Sequence, residues 1–156
     1  MNSDVVQLDS LKILVMGGTR FVGKALVSRF ISNSHNLTLF TRGNNNVRSD
    51  VVHFKGDRHN LEELKVLSGN TYDVIVDSSG RNLEDTQKVI SVVGKPSYRL
   101  LYVSSAGVYS NQDFWPLDEN CEIDPNSRHI GKSKTENWLI DQKIPFTSFR
   151  PTYIYG

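Results

Sequence analysis

The sequence predicts an α/β fold, a doubly wound parallel sheet with helices on both faces, and three observations carry that prediction. Short apolar runs rich in Val, Ile and Leu alternate with longer mixed stretches along all 156 residues, the pattern of strands buried on both faces of a parallel sheet. The stretches between them have the length of helices, and the first repeats its apolar residues at a helical period. The first run also ends in a glycine-rich turn that opens directly into a helix, so strand, crossover and strand follow in the order of right-handed β-α-β units.

The predicted strands are LKILVM (11–16), LTLF (37–40), VVHF (51–54), DVIVD (73–77), RLLYVS (99–104) and PFTSF (145–149). The predicted helices cover 21–32, 60–69, 84–94 and 129–142. In the first helix Phe21, Val22, Ala25, Leu26, Phe30 and Ile31 form one apolar stripe that would face the sheet. Asp57 is a candidate cap for the helix at Leu61. For the last helix Asp124 and Pro125 read as cap and first helical residue, with Ser127 as a competing cap.

Composition narrows the function classes. With 38% hydrophobic and 22% charged residues the chain reads as one globular domain over 1–156 with a single core. The formal charge is +1, from 18 Lys and Arg against 17 Asp and Glu, so no global field steers it to nucleic acid or membrane and anion binding must be local. The lone cysteine, Cys121, excludes an intramolecular disulfide or a multi-cysteine metal cluster and fits a reducing compartment. No apolar run approaches bilayer length, and the start MNSDVVQLDS lacks the charge-then-apolar order of a signal peptide; a cytoplasmic protein is expected. His35, His53, His59 and His129 show no metal-ligand spacing, and His129 reads as a surface residue.

The turn VMGGTRFVGKAL carries the first chemistry. In a dinucleotide-binding turn one glycine makes the tight bend, a second admits the pyrophosphate and a third lets helix and strand pack closely. Phosphates then sit on the helix amino end, where unpaired N–H groups and the dipole favour negative charge. Gly17 and Gly23 fill the first and third places, and Arg20 holds the middle one. The candidate cofactor loop is Gly17, Gly18, Thr19, Arg20, Phe21, Val22 and Gly23. Arg20 would either close over the pyrophosphate as a cation or obstruct its approach. At the end of the second strand, FTRGNN places Thr41 and Arg42 where an NAD site usually carries a carboxylate; an Arg suits a 2′-phosphate, so NADP is favoured over NAD. Asp57, in KGDRHN, is placed to reach an adenine amino group or to cap the following helix.

With GGTRFVG, GD at 56–57, SSAGVYS at 104–110 and RPTYIYG at 150–156 in this order, the chain resembles the extended short-chain dehydrogenase/reductase superfamily, in its NAD-dependent epimerase/dehydratase group. Within that group GGTRF, LFTRG, SSAGVY, DPNSRHIGK and RPTYIYG are most similar to the chloroplast stem-loop-binding proteins and their cyanobacterial relatives. The resemblance implies an NAD(P)-binding Rossmann fold and, from the plastid relatives, association with structured RNA and ribonuclease activity. It also implies a carboxyl-terminal substrate region beyond the last residue here, so the chain is expected to be the amino-terminal part of a longer architecture. Binding partners would be a dinucleotide or a nucleotide-sugar; an oligomer remains open.

Catalysis in this superfamily uses a Tyr-x-x-x-Lys pair on one helix face with a nearby Ser or Thr. The Lys cation lowers the tyrosine pKa and holds the nicotinamide ribose. Ser105 occupies the Ser/Thr place. Matching Glu136 and the apolar residues after it makes Lys132 the lysine and Arg128 the occupant of the tyrosine place; a frame shifted by two makes them Lys134 and Ile130. Neither supplies a phenol. The candidate catalytic residues are therefore Ser105 and Lys132, without a tyrosine. Arg128 and Lys132, expected on one face of the helix start, would bind a phosphate. Two functions follow: an epimerase/dehydratase-like NAD(P)-binding protein with a non-standard active site, or an RNA-binding protein using Arg20, Arg42, Arg128 and Lys132.

Overall fold

The computed structural model describes residues 10–110 and 116–154. Six parallel strands form one sheet: β1 (Lys12–Met16), β2 (Asn36–Thr41), β3 (Val52–Lys55), β4 (Val74–Asp77), β5 (Arg99–Val103) and β6 (Phe146–Phe149), in the spatial order β3-β2-β1-β4-β5-β6. The order reverses between β1 and β4, which opens a crevice beyond their carboxyl ends. Among the described residues four helices flank the sheet: α1 (Phe21–Ser32), α2 (Leu61–Leu64), α3 (Leu83–Val93) and α4 (Ile130–Asp141).

Side chains alternate across the pleat, and this splits the core into two layers. Ile13, Val15, Leu37, Leu39, Val74 and Val76 pack against Val27 of α1. Leu14, Met16, Phe40, Ile75, Leu100 and Tyr102 pack on the other face against Leu64, Val89 and Leu139 of α2, α3 and α4. Each fully buried aliphatic side chain stabilises the fold by about 1.5–3 kcal/mol. Both layers draw on β1 and β4, whose residues 13–16 and 74–77 are all buried, and the crevice opens beyond the carboxyl ends of these two central strands.

Three expectations need correction. The buried face of α1 runs through Gly23 and Val27, with Leu26, Phe30 and Ile31 packed beside them, whereas Phe21 is 62% exposed and Ala25 faces solvent. Helix 60–69 is a single α-turn followed by a 3-10 turn over Lys65–Leu67, and Asn60, not Asp57, caps it by accepting from Glu62 N. The last helix starts at Ile130, not at Pro125. Asp124 instead closes a local turn by accepting from Asn126 N at 2.8 Å, one of the side-chain-to-backbone bonds that compete with helix formation. Among the described residues no helix is long and apolar enough to cross a membrane.

Candidate functional site

The glycine turn between β1 and α1 adopts a backbone that side chains resist. Gly17 and Gly18 have φ of +103° and +98°, in the region that favours glycine. At Gly23 the issue is space, since a Cβ there would lie 2.8 Å from both the Cα and N of Gly18. Arg20 stands at the helix N-cap in extended conformation with no side-chain cap, and the first turn of α1 carries no acidic residue. Its opening N–H groups thus lack a side-chain acceptor, and an anion supplies what they need. Phe21 follows at φ +43°, a non-glycine in left-handed conformation of the kind that concentrates at functional sites. The Arg20 guanidinium carbon sits 5.4 Å from the centre of the exposed Phe21 ring. The turn fits a pyrophosphate.

The neighbouring loops complete the crevice. Thr19 Oγ1 accepts from Asn45 Nδ2 at 3.3 Å, which ties the loop after β2 to the turn. Thr41 Oγ1 is bonded to His53 Nε2 at 2.8 Å and accepts from Gly43 N at 3.1 Å, leaving Arg42 exposed beside them. Asp57 accepts from His59 N and its own N–H donates to Glu63.

Beneath this loop lies a buried ion pair that sequence reasoning missed. Arg58 donates to both Asp77 carboxylate oxygens at 2.6 and 2.9 Å, and the two side chains are 8% and 1% exposed. Asp77 also accepts from Thr86 Oγ1 and Gly80 N at 2.8 Å. Burial opposes its ionisation, yet the Arg58 guanidinium and these donors hold its carboxyl down at about 2. The signal was a carboxylate ending DVIVD, a strand otherwise buried on both faces, which demands a cation; the adjacent Asp57 drew attention away from Arg58.

Lys132 connects this network to the far side of the crevice. Its ammonium donates to Gly80 O at 2.8 Å and Val103 O at 2.6 Å, bridging the loop after β4 to the end of β5. Burial lowers its pKa, with partial compensation from Asp77. Arg128 lies outside α4, exposed, with Nε donating to His129 Nε2 at 3.0 Å. The expected shared face of Arg128 and Lys132 is therefore absent, because the helix begins after Arg128 and Lys132 turns inward.

Ser105 opens a short 3-10 turn (Ala106–Val108) and accepts from Gly107 N at 3.1 Å. It borders a cleft of about 1370 Å³ that also takes in Tyr109, His129, Ser148, Arg150 and Tyr153. One wall is a second missed network: Arg150 clasps the buried Glu136, which also accepts from Ser148 Oγ, while its Nη1 donates to Tyr109 Oη at 2.8 Å. Burial works against Glu136 ionisation, but Arg150 and Ser148 keep its carboxyl below the usual range. Among the described residues no group of His, Cys, Asp and Glu side chains could hold a metal ion.

A sheet of this order with an uncapped helix after a tight glycine turn is a Rossmann domain. The chain belongs to the NAD(P)H-binding family, whose profile matches residues 17–155, within the extended short-chain dehydrogenase/reductase superfamily. It is 38% identical over 93% of its length to the chloroplast stem-loop binding protein of 41 kDa b of Arabidopsis thaliana, of which it spans 42%. Its backbone superposes on the enzyme WbmG of Bordetella bronchiseptica in complex with NAD, with a TM-score of 0.78 and 18% identity, over 94% of this chain and 54% of that one. It also superposes on UDP-glucose 4-epimerase of Thermotoga maritima with UDP-glucose, with a TM-score of 0.76 and 16% identity, over 89% of this chain and 54% of the other. At such identities the two structures establish likeness of fold. The chain spans about half the length of these relatives.

Proposed function

We propose that this chain binds a dinucleotide, NADP in preference to NAD, across the carboxyl ends of β1 and β4, and serves an epimerase/dehydratase-like active site that lacks the usual tyrosine. The observation that carries this reading is the turn at Gly17 and Gly18, whose backbone leads into a helix amino end free of side-chain caps and acids. Gly17, Gly18, Thr19, Arg20, Phe21, Val22 and Gly23 would hold the pyrophosphate, Arg42 the 2′-phosphate, Asp57 the adenine and Lys132 the nicotinamide ribose. A bound nicotinamide supplies a hydride donor or acceptor. This chain's own residues do the rest: Ser105 presents a hydroxyl to the cleft, and Lys132 ties the Gly80 carbonyl after β4 to the Val103 carbonyl at the end of β5. Isothermal titration with NADP and NAD tests the reading. Saturable one-to-one binding, tighter for NADP, supports it; equal affinity removes the assignment of Arg42.

A second reading, association with structured RNA, is supported by the similarity to the Arabidopsis stem-loop binding protein and by the exposure of Arg20, Arg42 and Arg128. Contacts of this kind predict affinity that falls steeply with salt. RNA binding indifferent to salt would count against it.

A further inference from the structure

Three donors converge on the carbonyl oxygen of Met16, the last residue of β1. Ser78 Oγ donates to it at 2.9 Å, Ser79 Oγ at 3.1 Å and Ser78 N at 3.3 Å. The amide is the donor that parallel pairing of Met16 with Asp77 supplies; the two hydroxyls come in addition. On the other side of the same peptide bond, Gly17 N donates to Phe40 O of β2 at 3.0 Å. The peptide plane from which the glycine turn departs is therefore held at both ends, by β2 and by the loop after β4.

Space around the turn leads to the same side chains. A Cβ on Gly17 would lie 2.8 Å from Ser78 Oγ and 3.5 Å from Ser79 Cβ, and one on Gly23 would lie 3.4 Å from Ser78 Oγ. The Ser78 hydroxyl thus fills the room beside the first and third glycines of the turn.

We propose that Ser78 and Ser79 are positioning residues for the pyrophosphate: they fix the Met16–Gly17 peptide plane, and through it the direction in which the N–H groups of the turn point. The inference rests on the dinucleotide reading above. Glycine backbones at φ of +103° and +98° are free to adopt other conformations, so this turn keeps one shape only if its first peptide is anchored. A backbone anion site binds best when its N–H groups are in place before the ligand arrives, since ordering them on binding costs affinity. Ser79 adds a link across the crevice. Its Oγ also accepts from Arg58 Nη1 at 2.8 Å, so one hydroxyl joins the loop that carries Asp57 to the start of the glycine turn.

The test compares NADP with 2′-AMP, which has the adenosine half and no pyrophosphate, by NMR titration of the full chain. Ser78→Ala removes a bond to Met16 O and opens room beside Gly17; it should weaken NADP about tenfold and leave 2′-AMP affinity unchanged. Ser79→Ala should weaken NADP by a similar factor. A second readout needs no ligand: hydrogen exchange at Gly17 N should quicken about tenfold in Ser78→Ala, while the amides of β5 keep their wild-type rates. Normal NADP binding by both variants overturns the proposal, and so does an unchanged Gly17 exchange rate. Equal weakening of NADP and 2′-AMP by Ser78→Ala marks a general structural effect and overturns it too. A wild-type chain that binds NADP no more tightly than 2′-AMP refutes the dinucleotide reading itself, and the proposal falls with it.

Discussion

The Arg58–Asp77 pair makes a sharp prediction about stability. Asp77→Asn keeps the shape of the side chain and removes its charge, leaving a guanidinium that is 8% exposed with no carboxylate in reach of its two bonds. Removing one partner of a buried pair costs about 3–5 kcal/mol, because the remaining charge is stranded; against a total of about 5–15 kcal/mol this is a large fraction. An independent figure comes from titration. Holding Asp77 at about 2 rather than at its ordinary 3.8 corresponds to about 2 kcal/mol of stability. Because the folded value is depressed, that contribution is fully present above pH 3.8 and is lost as pH falls toward 2. Urea denaturation followed by circular dichroism measures both. Arg58→Met alone should cost a similar amount, and Arg58→Met with Asp77→Leu should recover part of it. A loss below about 1 kcal/mol for Asp77→Asn, the range of exposed pairs, would refute the reasoning.

Three further outcomes are expected. Gly23→Ala, whose Cβ would press on the Gly18 backbone at 2.8 Å, should push α1 away from the turn and weaken NADP at least tenfold, read by fluorescence titration of NADPH. Arg42→Ala should weaken NADP by about 1.5–3 kcal/mol, through loss of a charge-assisted bond, and leave NAD unchanged; calorimetric titration of both dinucleotides decides it. Lys132→Met removes a charged donor from Gly80 O and Val103 O and should lower the urea-unfolding free energy by about 1–3 kcal/mol.

Much of the fold was legible because its signals are local. A run such as KILVM, buried from Ile13 to Met16, has no alternative to a central strand, and the glycine turn declares itself by spacing. The helix starts were harder. Asp124-Pro125 has the chemistry of a cap, but Asp124 spends its carboxylate on Asn126 N, and nothing in the sequence distinguishes those two uses of one side chain. The same limit hid the site's pairings. Arg58 and Asp77 are 19 residues apart in the chain, Ser127 meets Gly107 from 20 residues away, and Arg150 reaches Tyr109 across 41; such contacts are set by how the sheet is wound, which residue spacing does not encode.

The central claim is that the crevice takes a dinucleotide, and thermal unfolding with and without NADP and NAD tests it most directly. A ligand at 100 times its Kd stabilises by about 2.7 kcal/mol, which for a chain of this size raises Tm by about 5–10 °C. The account predicts such a rise with NADP and a smaller one with NAD at the same concentration. An unchanged Tm with both, at concentrations that saturate ordinary members of the family, would contradict it.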